Sequence, residues 1–165
     1  MFKIDSVQNF IFFWLATSVI GLVISFLLVR RQAFKEKEPF WSPPTRRVAQ
    51  ALAPPLSVGL ILAILYLAAE ITIYRSPLQL WLLPVIWMTL YGCALHSAGF
   101  FMARGIRFLG WIFIFCGLIS LVEKTVSPDA QIVLCGHVCM GVTFGGLHLI
   151  YGIYLYFTEK KLTAA

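Results

Sequence analysis

A chain of 165 residues that is 60% hydrophobic and only 12% charged is not built like a soluble domain, where about a quarter of the residues carry charge. Its net charge of +6 comes from cations placed where apolar runs meet connecting segments, which is the topology signature of membrane proteins and speaks against nucleic acid as a partner. The four cysteines, Cys93, Cys116, Cys135 and Cys139, all lie inside apolar runs with no C-x-x-C pair, so free thiols are expected rather than a disulfide framework or a zinc site.

In chain order the apolar runs predict five transmembrane helices in a single domain spanning 1–165. The first covers about 9–29, opens with Phe10, Phe12, Phe13 and Trp14, and ends at Arg30 and Arg31. Its strong charge follows the apolar core and no A-x-A site comes after it, so an uncleaved helix is expected. The segment 30–47 then mixes Lys35-Glu36-Lys37-Glu38 with Pro39-Phe40-Trp41-Ser42-Pro43-Pro44-Thr45-Arg46-Arg47. Prolines interrupt helix hydrogen bonding, and aromatic side chains suit the headgroup level, so a basic surface loop is expected here. Arg30, Arg31, Trp41, Arg46 and Arg47 are its candidate docking residues for a soluble partner or for anionic lipid; an ordinary positive-inside anchor would look the same.

The second span is expected over about 48–74, with Pro54 and Pro55 bending it or delaying regular helix. The third covers about 78–102, with a kink at Pro84. Ala103-Arg104-Gly105-Ile106-Arg107 reads as a tight turn. The fourth span has a short apolar core, 108–122, and borrows from its flanks to reach about 105–123. Ser127-Pro128-Asp129 is a helix-start signal for the fifth, about 130–158. Ten Lys and Arg (Arg30, Arg31, Lys35, Lys37, Arg46, Arg47, Arg104, Arg107, Lys160 and Lys161) fall on one side of this arrangement, and Lys3, Arg75 and Lys124 on the other. The N-terminus is therefore expected outside and the C-terminus in the cytoplasm. Five spans cannot divide into two equal halves, which speaks against an inverted-repeat transporter.

The last helix carries a distinctive stripe. His137, Gly141, Gly145, His148 and Gly152 fan over about 80° of an ideal α-helix surface. Gly141 and Gly145 form a G-x-x-x-G pair that lets another helix approach backbone to backbone, within one chain or between copies. Small residues recur elsewhere: Ser18, Gly21 and Ser25; Gly59 and Ala63 with Tyr66 and Glu70; Thr89, Gly92, His96 and Gly99; Gly110 and Gly117. Close packing of all five helices into one bundle follows.

Depth along the spans sorts the ionisable residues into two layers. At about 1.5 Å per residue, His96 and His148 lie roughly 6–10 Å toward the cytoplasm, and Glu70 and His137 roughly 10–12 Å toward the outside. The inner pair could ligate haem b in a redox subunit. The outer pair could serve a small transporter or proton-coupled carrier. Imidazoles that hydrogen-bond across helices and hold register would also explain them, with no cofactor. Cys135, His137 and Cys139 are spread around the helix by their spacing and make a poor metal site. No serine or cysteine nucleophile stands in a recognisable catalytic motif, so no enzyme is expected.

Three patches resemble segments of uncharacterised small bacterial multi-pass inner-membrane proteins: Phe40-Trp41-Ser42-Pro43-Pro44-Thr45-Arg46-Arg47-Val48-Ala49 followed by Pro54-Pro55, Ala98 to Gly105, and Phe144-Gly145-Gly146-Leu147-His148. The resemblance leaves out the first span and brings no activity. The frequent placement of such genes beside transcriptional regulators implies a regulatory or partner-binding role. The expectation is an all-α bundle of the bacterial cytoplasmic membrane, in contact with lipid and with another membrane or cytoplasmic protein or a second copy. It would act as a non-enzymatic partner-binding, sensor or assembly subunit through its basic loop.

Overall fold

The computed structural model describes residues 7–37, 39–70, 77–102, 104–126 and 132–163, and all regular structure in them is helical. Helix α1 is Val7–Glu36, α2 Pro43–Glu70, α3 Pro77–Ala98 and α4 Arg104–Val126. The last helical run is α5 (Ile132–Met140), a π-helical segment (Gly141–Leu147) and α6 (His148–Thr163), without a break between them. These runs contain five stretches long and apolar enough to cross a bilayer: Gln8–Lys35, Pro43–Ala68, Trp81–Ala98, Gly105–Glu123 and Leu134–Thr158. The architecture is that of a multi-pass membrane bundle. Ser127-Pro128-Asp129 lies outside the described residues.

The helix ends differ from expectation for local reasons. Helix α1 runs past Arg30 and Arg31 to Glu36 and is closed by Lys37, which takes a left-handed φ of 54° and donates its backbone N–H to the Phe34 carbonyl at 3.4 Å. Helix α2 starts at Pro43 rather than 48. Ser42 precedes it, the Ser42 carbonyl accepts the Arg46 N–H at 3.0 Å, and the Ser42 and Thr45 hydroxyls lie 2.9 Å apart. Proline suits the first helical position, where no intrahelical donor is needed. Arg46 and Arg47 therefore sit in the first turn of a membrane helix and not in a loop. Pro54 and Pro55 are carried inside α2, which leaves the carbonyls of Gln50 and Ala51 without their helical donors. The third helix stops at Ala98, and Gly99–Met102 forms the turn to α4.

Helix α3 is the centre of the bundle. Its Leu83 and Met88 are buried in one cluster with Leu109 and Phe113 of α4, Ala63 of α2, Phe10 and Ile11 of α1, and Met140 of α5. The tightest seam is α3–α4, where glycine is obligatory. A Cβ added to Gly92 would stand 2.7 Å from the Gly110 carbonyl oxygen, and one added to Gly110 would stand 2.7 Å from the His96 nitrogen. At Gly117 it would meet the Thr89 hydroxyl at 2.6 Å. The small-residue faces expected on the third and fourth spans are thus the two sides of one interface. Helix α2 joins α3 partly through Trp87, whose indole N–H donates to the Gly59 carbonyl at 3.1 Å. Helix α1 is different: it touches the bundle through its first turns, and every residue from 16 to 32 is exposed. A Cβ on Gly21 would meet nothing within 4 Å, and its neighbours Ser18 and Ser25 are exposed.

Candidate functional site

The three histidines have separate environments. His148 sits at the end of the π segment with its Nδ1 2.7 Å from the Phe144 carbonyl oxygen and its Nε2 2.7 Å from the Tyr91 hydroxyl. A carbonyl only accepts, so Nδ1 carries the proton and, in the neutral ring, Nε2 accepts from Tyr91. The rings of Tyr91, Phe113 and Phe144 close around this pair, Phe113 and Phe144 each with its centroid 5.0 Å from that of Tyr91. The π segment explains why His148 points inward. Each i→i+5 turn takes in about one residue more than an α turn, so across seven residues the helix falls behind by about a third of a turn. That rotation lifts His148, and with it Gly152, off the face of Gly141 and Gly145 and swings His148 onto α3.

His96 lies elsewhere. Its ring meets Phe100 at 5.4 Å and Trp111 at 5.3 Å, and its buried Nδ1 has no hydrogen-bond partner among the described residues. None of its ring neighbours is shared with His148, and both nitrogens of His148 are already engaged. The haem reading takes no support from these contacts. His137 is bound to α1: its Nδ1 accepts the Trp14 indole N–H at 3.2 Å, and the rings of Phe10 and Phe13 stand 4.8 and 5.7 Å away. Glu70 closes α2, and its side chain lies outside the described residues, so its pairing with His137 lies there too. Among the described residues no three His, Cys, Asp or Glu side chains gather to hold a metal ion, and the cysteines are free thiols.

Gly136 packs against Phe10 and Pro84, whereas the later glycines of the last helix have open space beside them. A Cβ built on Gly141, Gly145, Gly146 or Gly152 would find nothing within 4 Å, and Gly141, Gly145 and Gly152 are exposed beside Val142, Leu149 and Ile153. The close helix approach that the Gly141–Gly145 spacing allows is therefore not made among the described residues.

The basic end of the bundle holds a pocket of about 290 Å³ lined by Trp41, Pro43, Arg46, Arg47 and Gln50. Trp41 stacks on Phe40 at 6.4 Å, and Phe40 packs edge-on against Phe26 of α1 at 5.1 Å. The Arg47 guanidinium lies 6.0 Å from the Phe101 ring centre, in the turn between α3 and α4. Arg30 and Arg31 are not part of this pocket; Arg30 lies over Phe34 of its own helix at 5.5 Å.

Two residues that matter here were not singled out from the sequence: Tyr91, which holds His148, and Gln50, which completes the basic pocket. A hydroxyl in the middle of an apolar span was the available signal for Tyr91. Gln50, four residues after Arg46, falls on the same side of α2. Compared with known protein families, with curated proteins and with solved structures, the chain has no match in any of the three.

Proposed function

We propose that this protein is a small, non-enzymatic assembly subunit of the bacterial cytoplasmic membrane that receives a transmembrane helix of a partner on the Gly141/Gly145 face. The observation that carries this reading is that nothing among the described residues covers this face, while the glycines of α3 and α4 are packed closely. Glycine in a helix interior costs about 1 kcal/mol relative to alanine. Lipid chains adapt to any side chain and return nothing for that cost, whereas a helix laid backbone to backbone needs it. The position of the arginines supports an N-terminus outside and a cytoplasmic basic end, which would fix the depth and orientation of the receiving face. No cofactor enters this reading.

Photo-crosslinking in native membranes tests it. A benzophenone side chain at Val142, which is 63% exposed beside the glycines, is expected to give a discrete protein adduct, whose mass separates a second copy from a different partner. The same probe at Phe115 on α4, 54% exposed, is expected to give lipid adducts alone. Lipid adducts alone at both positions, in fully expressed protein, would overturn the reading.

A further inference from the structure

We infer that the pocket lined by Trp41, Arg46, Arg47 and Gln50 is a binding site for the phosphate of an anionic phospholipid. Three polar side chains meet there. Two guanidinium groups, adjacent in sequence on the first turn of α2, border one concavity, and neither is paired with a carboxylate among the described residues. Guanidinium forks match phosphate oxygens two at a time, so this pair suits a phosphodiester better than a diffuse positive surface would. Gln50 adds an amide that can donate to the phosphate or the glycerol oxygens.

The walls of the pocket are built rather than incidental. Trp41 is backed by Phe40, which is itself seated on Phe26 of α1, so the exposed indole is held in place from behind. Arg47 reaches across to Phe101, tying the first turn of α2 to the turn between α3 and α4. The Ser42–Thr45 contact ties the residue between Trp41 and Pro43 to the first turn of α2.

Location selects lipid over a soluble phosphate compound. Pro43, which lines the pocket, is also the first residue of an apolar span, so the pocket opens at the boundary of the hydrocarbon layer. Exposed Phe26 and Phe101 beside it offer an apolar surface on which an acyl chain can lie while its headgroup stays among the arginines. Trp41 occupies the headgroup level that amphipathic indoles prefer. The site is independent of the glycine face and would hold lipid whether or not a partner helix is received.

The test is native mass spectrometry of the detergent-purified full chain with equal concentrations of phosphatidylglycerol and phosphatidylcholine. The expected result is one or two retained phosphatidylglycerol molecules and at least about a tenfold preference over phosphatidylcholine, which has the same phosphate but adds a choline cation that the two guanidinium groups repel. Arg46→Gln with Arg47→Gln should abolish that preference, while Arg30→Gln with Arg31→Gln, an equal change in charge outside the pocket, should leave it within about twofold. Arg46→Lys with Arg47→Lys keeps the charge and removes the fork, and should weaken binding severalfold; it also serves if the glutamine variant fails to fold. Millimolar inorganic phosphate should not displace the lipid. Equal binding of phosphatidylcholine, equal loss in both glutamine variants, unweakened binding in the lysine variant, or displacement by phosphate alone would each overturn the assignment.

Discussion

The Tyr91 hydroxyl and Nε2 of His148 stand 2.7 Å apart across the α3–α6 contact, and the Phe144 carbonyl fixes the ring's tautomer from the other side. The contact joins the central helix to the point where π geometry returns to α geometry. Tyr91→Phe removes one partner and strands an imidazole nitrogen, so a stability loss of about 1–2 kcal/mol is expected. Combining Tyr91→Phe with His148→Phe in a double-mutant cycle should give a coupling of at least about 0.6 kcal/mol, the average for hydrogen bonds between membrane helices. Reversible unfolding in mixed detergent micelles measures both, and additive losses would mean that the pair does not act as a unit.

The glycines should divide by location. Gly110→Leu forces a side chain into the α3 backbone and should lower stability by about 3 kcal/mol or prevent folding altogether. Gly145→Leu meets open space and should leave the thermal midpoint of the isolated chain unchanged or slightly higher, since leucine is the better helix former. A matching loss in both variants would mean that the Gly145 face is covered within the chain.

Helix α1 is joined to α5 by the Trp14–His137 hydrogen bond, with Phe10 packed beside it. Trp14→Phe removes the donor and should cost about 0.6 kcal/mol. Because residues 16–32 are all exposed, with Phe26 against Phe40 as a peripheral contact, that loss should appear mainly as freedom of α1. The distance distribution between spin labels at Thr17 and Val138 should broaden in the variant, while a pair spanning α3 and α4 should not change.

Orientation is open to direct labelling. Phe34 is 69% exposed near the basic end of α1. A cysteine placed there should react with a membrane-impermeant maleimide in inverted membrane vesicles and stay unreacted in right-side-out ones, as the distribution of arginines implies. Reaction only in right-side-out vesicles would reverse the topology.

Much of the fold was legible because lipid imposes a simple rule: each crossing needs an apolar run of about 20 residues, and every backbone group must be satisfied within its own helix. Gly92, Gly110 and Gly117 were readable as packing residues for the same reason. What remained hidden depended on small departures from ideal geometry. The stripe from His137 to Gly152 is continuous only if the helix is α throughout, and seven π-helical residues break it, sending His148 to Tyr91 and leaving Gly141 and Gly145 outside. The start of α2 was obscured by Pro43 and Pro44, which read as loop residues until Ser42 is seen to precede the first turn. The pairing of depths that suggested His96 with His148 considered height along the membrane and not direction around the helix; their different ring neighbours separate them.

The most direct test of the proposed assembly role is the mass of the particle extracted from native membranes in a detergent-free polymer disc, for the unaltered chain and for Gly141→Leu with Gly145→Leu. The unaltered chain should be recovered in a particle holding more protein than one 18.6 kDa chain, and the double variant as that single chain with an unchanged thermal midpoint. A single chain in both cases, or an undiminished complex in the variant, would contradict the claim that the open glycine face receives a partner helix.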